Sequence, residues 1–283
     1  MANEMTDDAE STAHTHFHNN RSTDELLVFA MNFACRKHRF QQRKALEKDP
    51  LDGQMKQIAY IVHPTSVMVR VMESIDWDVF INNQKDGVKA TKTEMLIAAL
   101  FHDLIEDTAT TYVEIGHFFG KRIADIVAFC TFVSGHDNLS KSEIKMQGVS
   151  RAKEMSDAAR VIKMADLADN LFDLMRNPPP GWTPKRVQGY FVWKRETMKH
   201  LSQVKGADRL VKIIDAMLRN GKFMIDGVTY NTIPKDDQGQ VHSEEFYRGF
   251  LLDYYKLVDD IEAKKCNLST YESPEHASLI TYN

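Results

Sequence analysis

Apolar positions recur every three to four residues over most of the chain, the spacing that lays one apolar stripe along a helix. The first stripe is Leu26, Phe29, Ala30, Phe33 and Ala34, and it follows Ser22-Thr23-Asp24-Glu25, which reads as a capping box. That helix is expected to end in the basic residues Arg36, Lys37, His38, Arg39, Arg43 and Lys44. Residues 45–60, with the turn signals Asp49-Pro50 and Asp52-Gly53, are expected to form a long connection. A second helix is predicted from His63-Pro64 through Val67, Val71 and Ile75, because proline suits a first helical turn. After a polar loop over 82–91, an apolar helix is predicted over 94–106, and others over 111–119, 120–134, 140–155, 156–176 and 183–204. Beyond Gly206 the pattern predicts a helix over 207–220, a β-hairpin over 222–233 around Asp226-Gly227, and an amphipathic helix over 244–262. No repeat of fixed period is present. The fold class that follows is all-α, with a small β-hairpin near the C-terminal end.

Composition sharpens this picture in three places. Only 13 glycines and 8 prolines occur in 283 residues, so the residues that make tight turns are scarce and a mostly helical chain is favoured. A net charge of −4 without blocks of like charge points away from nucleic acid and from anionic membrane surfaces. Cys35, Cys130 and Cys266 are odd in number and far apart, the pattern of reduced thiols. The first ten residues are acidic where a signal peptide is basic and then apolar, and no apolar run approaches the ~20 residues of a membrane span; a cytoplasmic location is expected. Residues 1–21, which include the alternating His14, His16 and His18, are expected to be a disordered polar tail.

Chemistry is concentrated where polar groups interrupt apolar runs. The predicted helix over 94–106 is apolar until it presents His102-Asp103 and then Glu106-Asp107, each residue four from a partner on the same face. His63 follows Tyr60-Ile61-Val62, and Asp166 sits within Val161-Ile162-Lys163-Met164-Ala165-Asp166-Leu167. Buried charges are costly unless they are paired or bind a metal. His63, His102, Asp103 and Asp166 fit either mutually satisfied buried pairs or two imidazoles and two carboxylates around one ion. A mixed nitrogen and oxygen set suits Mn²⁺, Fe²⁺ or Zn²⁺ better than Ca²⁺ or Mg²⁺.

The order His, His-Asp, Asp resembles that of HD-domain metal-dependent phosphohydrolases. More specifically, AxxxHRxQxRK (34–44), YIVHP (60–64), AALFHDLIEDTATT (98–111), FFG (118–120) and IKMADLADNL (162–171) resemble the hydrolase domain of the RelA/SpoT family. Pro180-Gly181-Trp182, Arg186-Val187-Gln188 and Tyr190-Phe191-x-Trp193 are most similar to its small stand-alone members, the metazoan SpoT homologues among them. The similarity spans about residues 25–204. It implies an HD-type helical fold over 22–205, followed by a C-terminal extension over 206–283. It also implies Mn²⁺-dependent removal of the 3′-pyrophosphate of (p)ppGpp, with one ion held by His63, His102, Asp103 and Asp166. By the same resemblance Glu106 and Asp107 position the attacking water and transfer protons, and Arg43 and Lys44 lie near the phosphates. Lys141 contacts the substrate, while Asn170, Trp182, Arg186 and Tyr190 line the nucleoside side.

The chain departs from the family pattern at Leu167-Ala168-Asp169, at Ala59 and in the length of 45–59. These departures are expected to alter the surroundings of the base and the pocket entrance, which keeps an adenine alarmone such as (p)ppApp beside the guanine one. Another phosphorylated nucleotide such as NADPH, or a catalytically inactive nucleotide-binding or interaction module, are the alternatives. No synthetase segment follows, and the extension offers a surface for homo-oligomerisation. His38, His117, His136, His200, His242 and His276 lack a companion cluster and are expected to be structural or superficial.

Overall fold

The structure, a computed structural model, describes residues 21–85, 89–131 and 139–271. His14, His16, His18, His136 and His276 lie outside the described residues. Helix α1 (Thr23–His38) starts on the expected capping box: the Ser22 hydroxyl accepts from the Glu25 N–H, and the Glu25 carboxylate reaches back to the Ser22 N–H. It stops at His38. Arg43 and Lys44 therefore do not stand on a helix end but on β1 (Gln42–Lys48), which pairs antiparallel with β2 (Met55–Ala59). The expected long connection is thus a hairpin whose tip carries the turn signals, with Gly53 at φ 73°. Its charged, largely exposed strands, QRKALEK and MKQIA, lack the alternation by which a half-buried strand is recognised.

Helix α2 (Val62–Ser74) buries Val67 and Val71, and α3 (Trp77–Asn83) begins at the Asp76 N-cap. In α4 (Lys92–Phe101) every residue from Met95 to Phe101 is buried. The predicted helix does not continue to 106. It ends at Phe101, and a separate turn, α5 (Leu104–Asp107), follows an Asp103 backbone at φ −104°, ψ −2°. Successive residues in an unbroken helix point about 100° apart; the joint lets His102 and Asp103 turn towards one point. Helices α6 (Tyr112–Phe119), α7 (Lys121–Cys130) and α8 (Lys141–Arg151) lead to α9 (Asp157–Arg176), the central helix, packed against α2, α4, α7, α10 and α11. Helix α10 (Pro184–Leu201) carries proline in its first turn.

After α11 (Asp208–Asn220), strands β3 (Lys222–Ile225) and β4 (Val228–Asn231) form the expected hairpin, and α12 spans Glu244–Tyr271, longer than the pattern indicated. Phe223 of β3 stacks on Phe191 of α10. Helix α12 lies across α10 and α8. Tyr254 packs so closely on Gly189 that a Cβ there would sit 2.2 Å from the ring. Asp259 accepts from the backbone N–H (2.9 Å) and hydroxyl (2.6 Å) of Ser142 in the first turn of α8. Among the described residues no helix is long and apolar enough to cross a membrane.

Candidate active site

Helix α2 brings His63, the α4–α5 joint brings His102 and Asp103, and α9 brings Asp166 to one buried point. His63, His102 and Asp103 place ligand atoms within 4.8 Å of one another. Asp166 Oδ1 lies 3.3 Å from His63 Nε2 and 3.7 Å from His102 Nε2, while Asp103 Oδ2 lies 3.5 and 3.0 Å from the same two nitrogens. His102 Nδ1 lies 2.8 Å from the Ala99 carbonyl and His63 Nδ1 lies 2.8 Å from Asp169 Oδ2; both acceptors call for a proton on Nδ1. Both Nε2 atoms then face carboxylates, and the buried Nε2 of His102 makes no hydrogen bond of good geometry to them. A cation fits this arrangement, because in place of the Nε2 protons it would be met by two imidazole nitrogens and two carboxylates at one buried point.

Burial opposes charge on both imidazoles, but Asp103 and Asp166 outweigh it: His63 is held well above its ordinary value and His102 at about 9. Asp103 and Asp166 resist protonation despite burial, held low by the imidazoles and, for Asp166, foremost by Lys163, whose Nζ is 3.1 Å away. Metal binding here competes with protons.

Two cavities flank the centre. The first, of about 400 Å³, is lined by Arg43, Lys44, Tyr60, Asp107, Asn170, Asp173, Trp182 and Tyr190 among others. The second, of about 290 Å³, is bordered by Glu106, Lys141, Lys145, Arg151, Lys163, Asp166 and Lys194. Glu106 and Asp107, adjacent in sequence, thus face different cavities. Arg43 is already engaged, donating to Asp173 (2.8 Å) and to Asn170 (3.1 Å), while Asn170 donates to Asp166 Oδ1 (2.6 Å). Lys141 is half exposed at 3.7 Å from Glu262 of α12. Arg186 stacks on Trp182 at 4.1 Å and lines neither cavity.

Several groups at the site escape a reading by motif. The Tyr60 hydroxyl lies 2.6 Å from Asp103 and 2.7 Å from Asp107, and burial, reinforced by those carboxylates, raises its pKa. His38 is buried, the structural of the two expected alternatives, 4.9 Å from the Tyr60 ring, with its Nδ1 2.6 Å from Gln41 Oε1. Lys145 and Lys194 flank Trp193 at 3.7 and 3.9 Å, with pKa values lowered to about 7 and about 8. Burial is the first cause in both, with the charges of Lys194, Arg186 and Lys141 adding to it at Lys145. None of the three residues of the departure at 167–169 lines the first cavity. Leu167 borders the second cavity, Ala168 is buried in the core, and Asp169 backs His63. A signal for Asp169 was available, since it follows Asp166 by one helical turn.

The helical architecture and the His, His-Asp, Asp centre define an HD-type protein. No protein-family model matches the chain. It is 38% identical over 181 residues to the guanosine-3′,5′-bis(diphosphate) 3′-pyrophosphohydrolase MESH1 of Xenopus tropicalis, covering 64% of this chain and 87% of that protein. It is 37% identical over 175 residues to the human MESH1, covering 62% and 84%. A solved structure, described as a metazoan ortholog of SpoT that hydrolyzes ppGpp and plays a role in starvation responses, superposes with a TM-score of 0.54 at 29% identity, covering 69% of this chain and 94% of that one. The chain belongs to the MESH1 family of HD-type alarmone hydrolases.

Proposed function

We propose that the chain hydrolyses the 3′-pyrophosphate of (p)ppGpp or of a related alarmone such as (p)ppApp, with one Mn²⁺ held by His63, His102, Asp103 and Asp166. The observation that carries this reading is the convergence of two imidazole nitrogens and two carboxylates on one buried point, with Asp166 bordering one lysine-rich cavity and Tyr60, bonded to Asp103, lining the other. When bound, the ion polarises a phosphoryl oxygen and eases the deprotonation of water. Water attacks the phosphorus attached to O3′, the O3′–P bond breaks, and pyrophosphate leaves the ribose with a 3′-hydroxyl. Glu106 or Asp107 orients that water and passes its proton to the departing O3′. Tyr60 holds Asp103 and Asp107 in register by its hydroxyl.

The aromatic first cavity receives the nucleoside, with Trp182 and Tyr190 offering ring faces and Arg43 and Lys44 meeting phosphate oxygens. Arg186 steadies Trp182 rather than touching the nucleotide. The lysine-lined second cavity receives the other diphosphate, with Lys141 at its border. The test is product analysis of a panel comprising ppGpp, ppApp and NADPH, with Mn²⁺, with other divalent ions and with chelator. Pyrophosphate released from an alarmone in the presence of metal alone supports the reading; no alarmone turnover, or turnover of NADPH only, overturns it.

A further inference from the structure

The two imidazoles of the centre are supported differently. His102 rests on a neutral backbone carbonyl, that of Ala99, whereas His63 rests on a carboxylate, Asp169 Oδ2, at 2.8 Å. Both partners are buried, His63 at 3% and Asp169 at 5% exposure. The other oxygen of Asp169 accepts from Arg70 Nε at 3.0 Å. Arg70 stands on α2 two turns after His63, and its guanidinium lies 5.3 Å from the Phe172 ring. Asp169 is three residues beyond Asp166, so one face of α9 supplies a ligand carboxylate and the carboxylate behind a ligand imidazole.

We propose that Asp169 is a positioning residue for the metal centre, fixing the His63 ring and its tautomer, with Arg70 fixing Asp169 in turn. This rests on the metal-centre reading above. A carboxylate behind a ligating imidazole keeps the proton on Nδ1, aims Nε2 and makes it a stronger donor, an effect typically worth 10–100-fold in metal affinity. Arg70 serves a second purpose. With one oxygen on His63 and the other on Arg70, Asp169 is committed on both sides and cannot rotate inward to compete with Asp103 and Asp166 for the ion. The sequence departure at this position therefore acts on metal retention.

The experiment measures Mn²⁺ affinity of the purified full chain, from the electron paramagnetic resonance signal of free Mn²⁺, for the parent and for Asp169→Asn, which preserves shape and removes the charge. Circular dichroism establishes that each is folded. Asp169→Asn is expected to bind Mn²⁺ roughly 10–100-fold more weakly, with kcat restored by saturating Mn²⁺ and an unchanged nucleotide KM. A purely structural role would not give loss that excess metal repairs. Should Asp169→Asn not fold, Asp169→Ser carries the same expectation. A folded variant binding Mn²⁺ within twofold of the parent overturns the assignment of Asp169. A parent that binds no Mn²⁺ instead overturns the metal centre itself, so the two failures are distinguishable.

Discussion

The two cavities flanking the histidine–aspartate centre differ in how their charge is balanced. In the first, Arg43 is paired with Asp173 and held by Asn170, and aromatic rings form much of the remaining wall. In the second, Lys145 and Lys194 have aromatic neighbours, and burial drives their pKa values down to about 7 and about 8. A wall whose arginine is already paired gains less from a further anion, so shape and stacking weigh more in its selectivity. A wall holding cations at an energetic disadvantage gains from any anion that enters, because the newcomer relieves the cost of desolvation. On the proposed function, one cavity selects the nucleoside and the other draws in phosphate charge.

The largest effect is expected at the centre beside the cavities. Asp103→Ala removes a carboxylate within 3.5 Å of the imidazoles of His63 and His102 and, on the proposed function, is expected to reduce pyrophosphate release to the uncatalysed background, with no recovery in excess Mn²⁺. Unchanged turnover would refute the ligand assignment. Next, Glu106→Gln and Asp107→Asn are each assayed for kcat. The carboxylate that handles the proton should cost about 10²–10⁴-fold, and because the two residues face different cavities, the larger loss identifies the side from which water attacks.

A smaller effect is expected at the basic wall. Lys145→Met and Lys194→Met, each removing a charged partner of a phosphate, should raise KM by about 10–100-fold and leave kcat within about threefold. Equal losses in kcat and KM would mean that this wall also serves the chemistry. The pH dependence has a defined sign. Both lysines are charged below about pH 7 and lose their protons through about 7 and 8, so KM should rise above pH 8. Lys194→Arg should postpone that rise. Folding stability should move the other way: a lowered lysine pKa means fewer protons bound in the folded chain than in the unfolded, so stability rises from about pH 7 towards the ordinary lysine value of about 10.4. Lys145→Met should remove much of that slope in denaturant titrations.

The smallest expected effect on function belongs to Gly189→Ala. Its new methyl meets the Tyr254 ring, which should cost about 1–3 kcal/mol of stability in thermal melts. Because α10 carries both Tyr190 of the first cavity and Lys194 of the second, a small rise in the alarmone's KM would report both walls at once.

The chain's own pattern determined most of the helices, because a helix buries one stripe and its caps are local: Ser22 with Glu25 and Ser140 with Glu143 are satisfied within one turn. It also marked the residues proposed to hold the metal, since His102-Asp103 and Asp166 interrupt apolar runs where an uncompensated polar group would be too costly. The hairpin over 42–59 was not legible, because both strands are largely exposed and carry no alternation. Nor was the break after Phe101, which exists to turn two consecutive side chains towards one point and leaves no local mark. Tertiary structure alone decided the partners. Asp169 reaches His63 across 106 residues, Arg43 reaches Asp173 across 130, and Asp259 caps α8 across 117. Sequence pattern records how each segment buries its own surface; which charge ends up facing which is settled by the packing of segments far apart in the chain, and at this site that pairing sets the chemistry.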